Sequence, residues 1–165
     1  MARLIVFCGL PGSGKTTQAT RTCETSGWLR LAADDWMMEL GLDPLDEDGR
    51  VRVERLQRAL LLELLELGVT VVYEDGPWVR TGRDELREAV RAVGAAIEFH
   101  YLDVPLDELW RRIVERNAVD TWGTIQREEL DRWATQIEVP TREELALYDA
   151  PELHAHLAVH EPGGP

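Results

Sequence analysis

The sequence predicts an α/β fold: a parallel sheet of four to five strands with helices on both faces. Three observations predict it. Apolar runs of strand length alternate along the chain with segments of helical period, the pattern of right-handed βαβ units. The first run, Leu4-Ile-Val-Phe7, breaks into a glycine-rich turn that leads directly into a segment free of helix breakers. Polar clusters follow the strand-like runs, at Gly9 to Thr16, Asp34-Asp35, Glu74-Asp75 and Asp103. A parallel sheet gathers such clusters at the carboxyl ends of its strands, where ligands bind.

Taken in order, Leu4 to Phe7 is continuously apolar, as a strand covered on both faces is. The helix after the turn meets no breaker before Gly27. Trp28 to Ala33 reads as a second strand stopping at Asp34-Asp35, and Trp36 to Leu40 as a short helix closed by Gly41. Proline, glycine and charge predict a loop from Leu42 to Gly49. Arg50 to Leu67 carries Val53, Leu56, Leu60, Leu64 and Leu67 at helical spacing, an amphipathic helix that Gly68 ends. Val69 to Tyr73, rich in β-branched residues, is a third strand leading into Glu74-Asp75-Gly76-Pro77.

A helix from about Gly82 to Val93, with Thr81 as N-cap and Gly94 as C-cap, precedes a fourth strand at Ala96 to Leu102. The next helix opens at Pro105 and runs to about Asn117. Residues 118–125 form a loop containing Trp122-Gly123, Gln126 to Gln136 is helical, and Thr141-Arg-Glu-Glu144 is a capping box. The expected division is one domain over residues 1–150 and a tail, 151–165, in which Leu153 to His160 alternates like an edge strand.

A chain of 165 residues, 44% hydrophobic and 30% charged, suits one domain with a sizeable core. It has no run long and apolar enough for a membrane span and no signal-peptide pattern, so a cytoplasmic protein is expected. Cys8 and Cys23 lack metal spacing and read as reduced structural residues. His154, His156 and His160 have no carboxylate or cysteine partner at metal spacing either. The net charge of −13 disfavours a long nucleic acid as partner, because its phosphates must be neutralised by Lys and Arg. The same charge does not exclude ATP, which meets a local array of N–H groups and cations.

The chemistry begins at Gly9-Leu10-Pro11-Gly12-Ser13-Gly14-Lys15-Thr16-Thr17, which contains G-x-x-x-x-G-K-T, a P-loop, placed between a buried strand and a helix as the motif requires. Its glycines let successive N–H groups converge on phosphate oxygens, Lys15 supplies a point charge at the β/γ-phosphates, and the Thr16 hydroxyl is a ligand for Mg²⁺. Lys15 is the only lysine among the 18 basic residues, the one place where a compact charge on a flexible stem is kept. That same scarcity rules out an Asn-Lys-x-Asp guanine motif.

A kinase also needs an acceptor base, a metal ligand and cations over the transferring group. Asp34, after the second strand, is placed for the base; Asp34 or Asp35 could instead cap the following helix. Glu74 or Asp75 stands where a carboxylate holds Mg²⁺, and the sequence does not separate the two. Arg112 and Arg116 share a helix face as i,i+4 neighbours and suit a phosphate clamp, with Arg111 structural. Surface pairing is the alternative, through Asp107-Arg111-Glu115 and Glu108-Arg112, and it leaves Arg116 over. Seven acids and no base lie between Asp34 and Asp48; as a wall of the acceptor site they would favour a neutral or cationic alcohol, and as a solvated loop they would favour nothing.

Gly9 to Thr16, Ala33-Asp-Asp-Trp36 and His100 to Asn117 together resemble the P-loop kinases of the polynucleotide kinase, zeta toxin and chloramphenicol phosphotransferase group, especially its small bacterial ATP-binding proteins labelled AAA-family ATPases. The resemblance spans about residues 1–148 and implies a P-loop NTPase fold, nucleoside-kinase-like, with a lid segment. It matches Asp34 to the family's base and Arg112 and Arg116 to its lid arginines, and it implies that Val139-Pro140 lies by the adenine. Strand three ends Tyr-Glu-Asp where relatives more usually have one Asp. The function expected is an ATP- and Mg²⁺-dependent transfer of the γ-phosphoryl group to a hydroxyl of a small-molecule acceptor. The alternatives are an ATPase module regulating a protein partner, or a 5′-hydroxyl polynucleotide kinase.

Overall fold

The computed structural model describes residues 1–119 and 123–149; the 151–165 tail with its expected edge strand, and Trp122, lie outside the described residues. Four strands, β1 (Arg3–Cys8), β2 (Leu29–Leu31), β3 (Val71–Tyr73) and β4 (Ala96–Tyr101), form a parallel sheet in the order β2-β3-β1-β4. Leu4, Ile5 and Val6 lie in register with Val71, Val72 and Tyr73, while Arg3 to Cys8 match Ala96 to Tyr101 on the other side. The helices are α1 (Lys15–Ser26), α2 (Ala33–Glu39), α3 (Glu47–Glu66), α4 (Arg80–Ala92), α5 (Leu106–Asn117), α6 (Arg127–Ala134) and α7 (Arg142–Leu145).

Alternation of side chains along β1 builds two cores. Leu4 and Val6, with Val71, Tyr73 and Ile97, meet Leu61 and Leu65 of α3 and Leu86 and Val90 of α4. Ile5, Phe7 and Val72 meet Ala19 and Cys23 of α1 on the opposite face. Each Leu, Ile or Val so buried is worth about 1.5–3 kcal/mol, which is why β1 carries no polar residue from Leu4 to Phe7. A third cluster, Leu109 and Ile113 of α5 with Leu130 of α6, encloses Leu10 and fixes α5 to the turn after β1. Cys8 and Cys23 are free thiols, and burial pushes Cys8 up to about 11, which suits packing and not reactivity.

Several boundaries differ from the sequence expectation. β2 ends at Leu31 and α2 begins at Ala33, so Asp34 and Asp35 occupy the first turn of a helix rather than a strand end. Asp35 is not its cap. Ala32 holds the N-cap position without a side-chain bond, and Asp75, arriving from β3, accepts the Ala33 N–H at 2.6 Å. α3 starts at Glu47 because Asp46 caps it, accepting the Gly49 N–H at 2.9 Å. Thr81 is not the cap of α4, which opens at Arg80, whose N–H is accepted by Glu138 at 2.7 Å.

The buried ridge of α3 is Val53, Gln57, Leu61 and Leu65, whereas Leu56 and Leu67 are 56% and 79% exposed. A leucine-rich helix offers two overlapping stripes, and hydropathy prefers the one without Gln57. The fold takes the other, because the buried Gln57 amide donates to the Ala32 carbonyl at 3.0 Å. Among the described residues no helix is long and apolar enough to cross a membrane.

Candidate active site

The turn from Gly9 to Gly14 joins β1 to α1. Gly14, at φ 98°, is the N-cap of α1, a left-handed conformation that glycine adopts without strain. Gly12, at φ 83°, also has no room for a side chain: a Cβ would lie 3.2 Å from the Leu109 carbonyl and from Ile113. The turn therefore rests directly on α5. Pro11 is half-buried on this turn, and Thr16 and Thr17 are exposed in the first turn of α1. Lys15 folds back so that its Nζ donates to the Gly9 carbonyl at 2.8 Å and the Leu10 carbonyl at 3.2 Å. Burial lowers its pKa, against the opposing pull of Asp75, Asp34 and Glu74. The buried Ser13 hydroxyl has no protein partner among the described residues, which fits a loop shaped around an anion's oxygens.

The two acids after β3 divide their work. Glu74 is 5% exposed; its Oε2 accepts the Thr16 hydroxyl at 2.8 Å and its Oε1 pairs with Arg30. Asp75 gives Oδ2 to the Ala33 N–H and leaves Oδ1 3.6 Å from Arg50. Burial, helped by Asp34, pushes Asp75 up to about 6, although the Ala33 N–H, Arg50 and Lys15 resist the rise. Thr16 and Glu74 are hard oxygen donors in contact, so they fit Mg²⁺, and Asp75 also holds the start of α2. Among the described residues no three His, Cys, Asp or Glu side chains gather as a metal cage.

The acids after β2 are also separated. Asp34 pairs with Arg50, and Asp35 pairs with Arg30. Each arginine thus links an acid of α2 to an acid after β3, and together they bind the ends of the two strands. Arg50 further lies 3.9 Å from Glu54, which burial and then Asp75 push up to about 7. Neither Arg30 nor Arg50 was visible as a site residue in the sequence, since partners 44 and 16 positions away leave no local spacing. The acidic stretch is mostly spoken for: besides these pairs, Asp46 caps α3, Asp43 accepts the Leu45 N–H and Glu47 pairs with Arg132. It is not a free negative wall.

On α5, Arg112 donates to Glu108 at 2.7 Å and reaches the Gly12 carbonyl at 3.4 Å, so it stands against the P-loop. Arg116 donates to the Gly123 carbonyl at 3.4 Å and, among the described residues, has no carboxylate partner. Arg111 is held by Glu108 and Glu115, and Asp107 faces Arg127 rather than Arg111. A cavity of about 170 Å³ opens beside the P-loop between Leu10, Tyr101, Val104, Leu109, Ile137 and Val139.

One buried pair braces the site from below. Arg83 of α4 grips Glu144 of α7 through two nitrogens, at 2.6 and 3.1 Å, and donates to the carbonyls of Trp78 and Glu138 at 2.6 and 2.8 Å. Both side chains are 1% exposed. Thr141 does cap α7, but Glu144 turns inward to Arg83 instead of completing the capping box. The segment carrying Val139 is thereby fastened to α4.

Comparison with known proteins settles the family. The model of the AAA domain family matches residues 4–140. The chain belongs to that family, and its fold is that of the P-loop kinases. It is similar to adenylate kinase from Thermus thermophilus, 30% identical over 128 residues, covering 73% of this chain and 69% of the relative. Adenylate kinase from Prochlorococcus marinus is 27% identical over 161 residues, covering 90% of this chain and 85% of the relative.

Among solved structures, a chain of the Pnkp1/Rnl/Hen1 RNA repair complex superposes with a TM-score of 0.72 at 23% identity, covering 90% of this chain and 46% of that one. A second structure of the Pnkp1/Rnl/Hen1 complex gives 0.60 at 26% identity over 67% of this chain and 38% of that one. A gluconokinase from Sinorhizobium meliloti gives 0.60 at 25% identity, covering 84% and 77%. This AAA-domain kinase thus spans less than half of the RNA repair chains it matches.

The RNA repair likeness corrects the expectation that a long nucleic acid is disfavoured. A net charge of −13 describes the mean surface, whereas a strand meets one face. The cations are unevenly spread: Arg50, Arg52, Arg55 and Arg58 fall within nine residues.

Proposed function

We propose that this P-loop kinase transfers the γ-phosphoryl group of ATP to a terminal hydroxyl of RNA, the 5′-hydroxyl, in the cytoplasm. The observation that carries the acceptor is the superposition on a component of an RNA repair complex over 90% of the chain. The donor rests on the P-loop and on the Thr16–Glu74 contact beside it.

In this reading the N–H groups from Gly9 to Thr17 hold the phosphates, and Lys15 leaves the carbonyls of Gly9 and Leu10 for a phosphate oxygen. Thr16 and Glu74 would hold Mg²⁺, which would supply positive charge against the phosphates of the nucleotide. Asp34 accepts the proton of the hydroxyl as its oxygen bonds to the γ-phosphorus. The bond from that phosphorus to the bridging oxygen breaks, and ADP leaves. Arg112 and Arg116 face the charge that develops on the transferring group. The cavity lined by Leu10 and Val139 receives the adenine.

The test is an acceptor panel with γ-labelled ATP and Mg²⁺, offering a 5′-hydroxyl oligoribonucleotide, AMP, gluconate and nucleosides. Label at the RNA 5′ end is the expected result. Label on AMP or a sugar acid alone would overturn the RNA reading while leaving the kinase.

A further inference from the structure

One face of α3 holds the start of α2, the helix that carries Asp34. Arg50, Val53 and Gln57 stand on that face at i, i+3 and i+7. Gln57 donates to the Ala32 carbonyl at 3.0 Å, and Val53 packs with Ala33 and Met37. Arg50, at the N-terminal end of the face, donates through Nη2 to Asp34 Oδ1, while its Nη1 lies 3.6 Å from Asp75 Oδ1. Asp75 in turn accepts the Ala33 N–H at 2.6 Å. The backbone just before Asp34 and the Asp34 carboxylate itself are thus held by two partners, Asp75 and Arg50, that also meet each other.

The chemistry needs such a hold. The Asp34 side chain is 61% exposed, and an exposed side chain left to itself changes rotamer within picoseconds to nanoseconds. A base must instead keep an oxygen within hydrogen-bond reach of the proton it accepts. Arg50 is the less exposed partner, at 31%, and it is drawn inward by Asp75 and by Glu54, 3.9 Å away. It takes up Oδ1 of Asp34; among the described residues Oδ2 makes no hydrogen bond and is left for a substrate. Arg30, the other arginine between α2 and the end of β3, is given to Asp35 and Glu74.

We propose that Arg50 is the positioning residue of the acceptor base: it fixes the Asp34 carboxylate through Oδ1 so that Oδ2 meets the acceptor hydroxyl. The role rests on Asp34 as the base in the reading above and adds what holds that base. Arg50 acts through Asp34, so its removal should misplace the base without disturbing the nucleotide.

The test is single-turnover transfer from saturating γ-labelled ATP with Mg²⁺ to a short 5′-hydroxyl oligoribonucleotide by wild type, R50M, R50K, D34N and D34N/R50M. Nucleotide Kd and melting temperature are measured on the same samples. R50M should slow transfer about 10–100-fold, the cost of a reacting group misplaced by about an ångström, at unchanged nucleotide Kd. R50K, which keeps a charged donor on a long stem, should be slowed less. D34N/R50M should be no slower than D34N, because the carboxylate through which Arg50 acts is already gone. A wild-type rate in R50M, a nucleotide Kd weakened as much as the rate, R50K no faster than R50M, or losses that multiply in the double variant would overturn the positioning role, while a slow D34N upheld the base. Should R50M fail to fold, D34N/R50K beside D34N decides the same question. A wild-type rate in D34N, or a wild-type protein that labels no RNA, would overturn the reading beneath and this role with it.

Discussion

The Thr16 hydroxyl donates to Glu74 Oε2 at 2.8 Å, tying the first turn of α1 to the end of β3. A hydroxyl and a carboxylate brought together beside a P-loop are suited to share one Mg²⁺ and its water. Glu74→Gln should therefore lower Mg²⁺-dependent turnover by about 10–100-fold, the usual cost of removing a metal-supporting carboxylate, while nucleotide binding without metal stays near wild type. Titrations of turnover against Mg²⁺ check this, and an unchanged Mg²⁺ response would place the metal elsewhere.

Among the described residues, Lys15 Nζ donates hydrogen bonds to the Gly9 and Leu10 carbonyls, both in the loop it serves. Lys15→Ala should abolish phosphoryl transfer with the melting temperature close to wild type. Undiminished turnover at saturating ATP would remove the P-loop from the mechanism.

Arg83 and Glu144 form a pair buried on both sides. Truncating one partner of a buried, hydrogen-bonded pair strands the other charge away from water, at a cost of about 3–5 kcal/mol. Glu144→Ala should lose that much in urea unfolding. A loss below about 1 kcal/mol, the worth of an exposed pair, would mean that water reaches Arg83 in solution.

Glu54 sets a pH dependence. Its carboxyl is raised from 4.5 to about 7, so between those values the folded, nucleotide-free protein binds the proton more tightly than the unfolded chain. That contribution is fully present below pH 4.5 and is lost as pH rises through about 7. Glu54→Gln keeps a neutral side chain at every pH, so its melting temperature should exceed that of wild type by more at pH 8 than at pH 5. The same difference at both pH values would contradict the raised Glu54.

Much of this was legible in the sequence because it is local. The strand, turn and helix of the P-loop, the α/β alternation and the placement of Glu74-Asp75 after β3 follow from adjacent residues. What was not legible depends on partners far along the chain. Arg50 finds Asp34 at a separation of 16, Arg30 finds Glu74 at 44, and Arg83 finds Glu144 at 61. Asp75 supplies the helix contact assigned to Asp35 because β3 brings it to the start of α2. Leu56 was read as core because hydropathy cannot foresee a buried Gln57 satisfied by a carbonyl. The expectation that a long nucleic acid is disfavoured failed because a summed charge carries no direction.

The central claim is that Asp34 activates a terminal hydroxyl of RNA toward ATP bound at the P-loop. Single-turnover transfer to a 5′-hydroxyl oligoribonucleotide by wild type and Asp34→Asn, with nucleotide Kd measured in parallel, tests it most directly. The account predicts a rate lower by about 10²–10⁴-fold in the variant, the span of general-base removal, at unchanged nucleotide Kd. A wild-type rate in Asp34→Asn, or a collapse of ATP binding in place of the rate, would contradict it.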